Sequence, residues 1–184
     1  MKYTKYYKGI IDSYDDFLPF KDYLDLFDVV KKLPYYYGET DGPGYQPSGL
    51  TTNLNDHMLH DYFYEKIKDL DSVKGLKHKR TYVNYFGPGE DGGYHKDGEG
   101  RTVLFYFSEP WDINDFGETK FSLDAKDVMG VECNGTENYP IVIGMAPIPN
   151  RLITFEGNLI HSATSFKNKG RFTFAMKFES KESK

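Results

Sequence analysis

Residues 171–178 read Arg-Phe-Thr-Phe-Ala-Met-Lys-Phe. Phe172, Phe174, Met176 and Phe178 alternate with Arg171, Thr173, Ala175 and Lys177. On a strand, successive side chains leave opposite faces, so the aromatic set forms one surface and the polar set the other. The aromatic face suits packing under helices. The other face would point into the interior of a β-roll, and an Arg there needs an anionic partner, because an unpaired buried charge is too costly. This strand therefore predicts a half-polar interior and gives the first hint of a carboxylate ligand.

Working backward, short strand-like runs recur at Arg80–Phe86, Tyr94–Asp97, Arg101–Ser108, Lys120–Leu123, Pro140–Met145, Arg151–Phe155 and Leu159–Phe166, punctuated by Gly, Pro, Asn and Asp. Before them, after a short opening strand, the period changes. Phe20, Tyr23, Leu24, Phe27, Val30 and Leu33 recur at helical spacing. A loop rich in Gly, Pro and Tyr follows, from about Tyr35 to Leu50. A second helix is expected from an N-cap at Asn55 or Asp56 to about Leu70. Short strands after a helical beginning predict an α+β, mainly β, double-stranded β-helix (jelly roll), with N-terminal helices packed on the major sheet. The expected organisation is one domain over 1–184, with a mainly helical support region at 1–79, a jelly-roll catalytic core at 80–178 and a flexible tail at 179–184.

Composition agrees with a folded domain. The chain has 184 residues, 39% of them apolar, with 16 Tyr, 14 Phe and 1 Trp, enough for one full core. The net charge of −5 argues against a broad nucleic-acid surface. The lone Cys133 excludes an internal disulfide and reads as a small packing residue, which fits a reducing, cytoplasmic compartment. No signal-like leader and no membrane-length apolar run are present. Asn134-Gly135-Thr136 matches a glycosylation sequon, which carries no weight without a secretion signal.

His95-Lys96-Asp97 places an imidazole and a carboxylate two residues apart, on one face of an extended segment. His161 lies in a later strand. Two imidazoles and one carboxylate make a facial triad suited to non-heme Fe(II), with coordination positions left open for a bidentate 2-oxo acid and O2. Arg171, ten positions after His161, offers a fork that can bind a distal carboxylate, and Thr173 on the same face can add a hydrogen bond.

Four segments together resemble the prolyl-4-hydroxylase-like branch of the 2-oxoglutarate/Fe(II) oxygenases. They are Tyr82–Phe86 with Gly87-Pro88-Gly89 and His95-Lys96-Asp97; Arg101–Phe107; Gly117-Glu118-Thr119-Lys120-Phe121; and Asn150–Phe155 with His161 and Arg171. The resemblance covers about Arg80 to Phe178. It implies that His95, Asp97 and His161 hold Fe(II), that Arg171 pairs with the far carboxylate of the co-substrate 2-oxoglutarate, and that Tyr85 and Tyr106 face that co-substrate. Residue Phe116, before Gly117, stands where the family often has a second Gly. The activity implied is hydroxylation of a C–H bond with O2, converting 2-oxoglutarate to succinate and CO2, on a peptide or protein side chain. Small-molecule hydroxylation and nucleobase demethylation are the related alternatives. Nucleobase demethylases carry a second Arg at the position of Lys177. A jelly-roll module that binds metal without turnover is the non-enzyme alternative. No membrane partner is expected, and the oligomeric state is left open.

Other signals fall away. Gly87-x-Gly89-x-x-Gly92 mimics a dinucleotide fingerprint, but no helix follows it. His57 and His60 read as a solvated helix face, His78 as part of a basic connection and Trp111 as a loop anchor.

Overall fold

The computed structural model describes residues 1–38, 40, 46–124 and 140–180. Cys133, the sequon at Asn134–Thr136, part of the Tyr35–Leu50 loop and the last four residues of the tail lie outside the described residues. In chain order the strands are β1 (Lys2–Tyr6), β2 (Ile11–Asp15), β3 (Tyr36–Tyr37), β4 (Leu50–Asn53), β5 (Lys77–Phe86), β6 (Arg101–Phe107), β7 (Thr119–Asp124), β8 (Pro140–Met145), β9 (Leu152–Glu156), β10 (Ile160–Ala163) and β11 (Arg171–Glu179). Two helices, α1 (Phe20–Val30) and α2 (Met58–Ile67), fall between β2 and β5. The major sheet runs β1-β2-β9-β6-β11-β5-β4-β3 and the minor sheet β10-β7-β8. Every pairing is antiparallel. This is the expected jelly roll, with helices backing the major sheet.

Alternation along the strands separates two cores. Val103, Phe105 and Phe107 of β6 join Phe174, Met176 and Phe178 of β11 on the outer face of the major sheet. The helices cover that face with Tyr23, Leu26, Phe27 and Val30 of α1 and Leu59, Phe63 and Ile67 of α2. The Phe63 ring stacks on Phe174 at 4.2 Å and lies 5.0 Å from Phe105. Each such buried side chain contributes roughly 1.5–3 kcal/mol of transfer free energy. The inner face carries Tyr106 of β6 and Ile153 and Phe155 of β9, which meet Phe121 of β7 and Met145 of β8 from the minor sheet. Among the described residues no helix is long and apolar enough to cross a membrane.

The region 1–79 supplies more strand than its helical periodicity predicts. β1 and β2 extend one end of the major sheet beyond β9, and β4 and β3 extend the other beyond β5. β1, Lys-Tyr-Thr-Lys-Tyr, is the expected short opening strand; it is mostly exposed and pairs along its length with β2. The second helix begins later than expected. His57 is its N-cap, with Nδ1 accepting from Leu59 N at 3.2 Å. Asn55 is engaged elsewhere, since its Oδ1 accepts from Thr81 N at 2.7 Å. The expected strand at Tyr94–Asp97 reduces to a single bridge between His95 and His161, in a stretch crowded with Gly92, Gly93, Gly98 and Gly100.

Candidate metal centre

The bridge between His95 and His161 is a reciprocal backbone pair: His95 N donates to His161 O at 2.9 Å, and His161 N donates to His95 O at 3.0 Å. A third bond, Asp97 N to Gly157 O at 2.8 Å, fixes the other end of the His-Lys-Asp segment. The extended backbone sends His95 and Asp97 to the same side, toward His161. The rings of His95 and His161 lie 4.4 Å apart.

Each imidazole has its Nδ1 against a backbone carbonyl, His95 with Gly93 O at 2.9 Å and His161 with Leu159 O at 2.8 Å. If Nδ1 carries the proton in both rings, each Nε2 presents a lone pair, the tautomer a metal ligand needs. Both Nε2 atoms point at Asp97, at 3.5 Å from Oδ1 for His95 and 3.5 Å from Oδ2 for His161. One ligand atom from each residue lies within 4.8 Å of the other two. Burial alone would raise the Asp97 carboxyl, but His95, His161 and Lys177 together hold it well below the usual carboxylate range. Burial pushes the His161 imidazole down, against the pull of Asp97. A buried carboxylate facing the Nε2 atoms of two imidazoles is a donor set that fits a divalent cation.

A cavity of about 160 Å³ opens beside these residues and reaches Arg171, Thr173 and Lys177, the polar face of β11. Arg171 is 2% exposed. Its Nε donates to Gly117 O at 2.9 Å and its Nη2 to Thr119 Oγ1 at 2.9 Å. Burial lowers its pKa, but an Arg side chain stays charged. Among the described residues it forms no ion pair with a carboxylate. Thr173 Oγ1 is buried and has no hydrogen-bond partner. A buried guanidinium with no carboxylate in ion-pair contact among the described residues, Glu118 and Asp91 acting on it only from a distance, and an unsatisfied hydroxyl, both lining one cavity, fit an anionic ligand.

Neither of the two tyrosines expected at the co-substrate lines this cavity. Tyr82, Asn84 and Phe86 of β5 line the cavity. Tyr85, an odd number of residues from them, faces the helices, with its ring 4.7 Å from Phe172 and 5.9 Å from Tyr35. Tyr106 faces inward but lies beneath the cavity. Its hydroxyl is 2.7 Å from Thr119 Oγ1 and its ring lies under the Arg171 guanidinium at 5.5 Å. It supports Arg171 rather than lining the space.

Three further side chains take part, in contacts that the sequence does not announce. Thr102 Oγ1 donates to Asp97 Oδ2 at 2.5 Å. Thr119 connects Tyr106 to Arg171. Lys177 Nζ lies 2.6 Å from Asp97 Oδ1, yet that oxygen accepts no well-directed hydrogen bond, so the contact is ionic. Alternation had already turned Lys177 inward with Arg171 and Thr173; its partner, 80 positions earlier in the chain, had no local signal.

Neither a protein-family model nor a curated protein sequence matches the chain. Solved structures do. A prolyl-4-hydroxylase from Pseudomonas putida is similar over 94% of this chain and 93% of its own, with TM-score 0.70 and 14% identity. A prolyl hydroxylase from Trichoplax adhaerens, in complex with a peptide fragment of the hypoxia inducible factor oxygen degradation domain, is similar over 93% of this chain and 84% of its own, with TM-score 0.61 and 13% identity. The non-heme alpha-ketoglutarate-dependent epimerase SnoN of nogalamycin biosynthesis is similar over 93% of this chain and 78% of its own, with TM-score 0.66 and 9% identity. At these identities the likeness is one of fold: the chain has the fold of the prolyl-4-hydroxylases and related 2-oxoglutarate/Fe(II) oxygenases.

Proposed function

We propose that the protein is a 2-oxoglutarate- and Fe(II)-dependent dioxygenase that hydroxylates a C–H bond, with His95, Asp97 and His161 as metal ligands. The observation that carries this is the convergence of two imidazoles and an ionised carboxylate within 4.8 Å, in a cavity that also holds a buried Arg171 with no carboxylate in ion-pair contact among the described residues. Fe(II) with O2 would supply the oxidising power, drawn from conversion of 2-oxoglutarate to succinate and CO2.

The chain's own groups do the rest. Gly93 O and Leu159 O orient the two imidazoles, and Thr102 holds the second oxygen of Asp97. Arg171, propped by Gly117 O, Thr119 and the Tyr106 ring, would take the far carboxylate of 2-oxoglutarate, with Thr173 adding its hydroxyl. Phe86 and Leu104 contribute apolar wall to the same cavity.

A peptide or protein side chain is the prime substrate we favour, supported by the fold shared with a prolyl hydroxylase that carries a peptide. Oxidation of a small molecule is the second reading, supported by the fold shared with SnoN. Anaerobic addition of Fe(II) and 2-oxoglutarate is expected to produce a visible charge-transfer band, and a succinate-release screen of peptides against small metabolites and nucleotides should then give peptide-stimulated turnover. Metal binding without the band would favour a non-catalytic module; stimulation by small metabolites alone would select the second reading.

A further inference from the structure

The ion pair on Asp97 is not explained by ligation alone. Oδ2 accepts from Thr102 Oγ1 and lies 3.5 Å from His161 Nε2, whereas Oδ1, 3.5 Å from His95 Nε2, accepts no hydrogen bond and is the freer oxygen for a cation. Lys177 Nζ already sits there, at 2.6 Å. The Lys177 side chain is only 21% exposed and that of Asp97 4%, so this is an interior pair rather than a surface salt bridge. The ammonium also lies 5.4 Å from the centre of the Tyr82 ring, which lines the same cavity and gives it a second resting place through a cation–π contact. Arg171 stands in the same cavity. With Lys96 and Lys177 included, the cavity is lined by three cationic side chains against one carboxylate.

Resting on the metal reading above, we propose that Lys177 is a resident cation that occupies Asp97 until a divalent metal takes it, and that its release couples metal loading to anion binding. In the metal-free protein the lysine supplies a permanent positive charge to a buried carboxylate whose other neighbours are Thr102 and the two imidazoles; a buried carboxylate without a cation is costly. A metal arriving at the triad competes with the ammonium for Oδ1 and then has a like charge beside it, so Lys177 weakens metal affinity. The displaced ammonium remains in the cavity. There it adds positive charge for the carboxylates of a 2-oxo acid, and the metal-loaded site favours a dianion more than the triad and Arg171 alone would. Lys177 is in this sense a positioning residue for metal and co-substrate.

The test is Mn(II) binding to the full chain, read from the electron paramagnetic resonance signal of free Mn(II), followed by titration of the Mn(II)-loaded protein with 2-oxoglutarate. Lys177→Met removes the charge at nearly constant length, Lys177→Gln repeats the charge change in a polar side chain in case the first variant does not fold, and Lys177→Arg keeps the charge. The neutral variants are expected to bind Mn(II) at least tenfold more tightly than the wild type and 2-oxoglutarate at least tenfold more weakly; Lys177→Arg should stay near the wild type in both. A lysine that merely stabilises the fold would not move the two affinities in opposite directions. Wild-type binding of Mn(II) with unchanged or weaker binding in the neutral variants overturns this proposal and leaves the triad standing. Failure of wild type and variants alike to bind Mn(II) overturns the metal reading and this proposal with it.

Discussion

At the scale of single residues, the site depends on groups whose neighbours leave them one job each. His95 and His161 have Nδ1 against a carbonyl and present Nε2; Asp97 has one oxygen on Thr102 and the other on Lys177. Arg171 is the sharpest case. It is buried, braced by Gly117 O and Thr119, and makes no ion-pair contact with a carboxylate among the described residues. Truncating one member of a buried, hydrogen-bonded charge pair typically costs about 2–5 kcal/mol. Arg171→Ala should therefore raise the 2-oxoglutarate concentration needed for half-maximal turnover by ~30-fold or more, while Mn(II) binding at the triad stays within a few fold. An unchanged requirement for co-substrate would remove Arg171 from its assigned role. The residue was legible because it sat on an alternating strand. Lys177 lay on the same face, but its pairing with Asp97 joins positions far apart in the chain.

At the scale of elements, the turn before β7 is what holds Arg171 in place. Gly117 has φ +85°, and a Cβ there would lie 2.5 Å from the Phe166 ring. Its carbonyl accepts from Arg171 Nε. Phe116, where the resembling family often has Gly, also takes a positive φ, 60° with ψ −144°. It is held by a bridge to Phe166, and its carbonyl accepts from Trp111 Nε1 at 2.8 Å. Gly117→Ala should thus lower stability by about 1–3 kcal/mol, the usual cost of a residue forced into such a region, and should weaken 2-oxoglutarate binding together with it. Urea unfolding and co-substrate titration check the two effects. Loss of stability alone would mean that the turn does not aim Arg171. The Gly-Glu-Thr-x-Phe segment flagged this turn in the sequence. The strain at Phe116 was not legible, because a residue's φ depends on what holds it from both sides.

At the scale of the whole molecule, the triad ties the His95–Asp97 segment and β10, and Lys177 ties that segment to β11 of the opposite sheet. A ligand that binds only the folded chain stabilises it by mass action, about 2.7 kcal/mol at a hundredfold excess over Kd. For a chain of this size each kcal/mol moves the melting temperature by roughly 2–4 °C. Saturating Mn(II) is expected to raise Tm by about 5–10 °C, EDTA to reverse the rise, and Asp97→Ala to abolish it. A rise of equal size in Asp97→Ala would place the metal elsewhere. The sequence alone determined the jelly roll, the helices on its major sheet, the three candidate ligands and Arg171, because strand alternation and helical periodicity are local and the ligand types carry their own chemistry. Only the tertiary structure decided that Tyr85 faces the helices, that Tyr106 supports Arg171 from below, that β1 to β4 extend the major sheet, and that Lys177 rests on Asp97. Those outcomes depend on which strands pair and in what register, and pairing between distant segments leaves no mark on either segment alone.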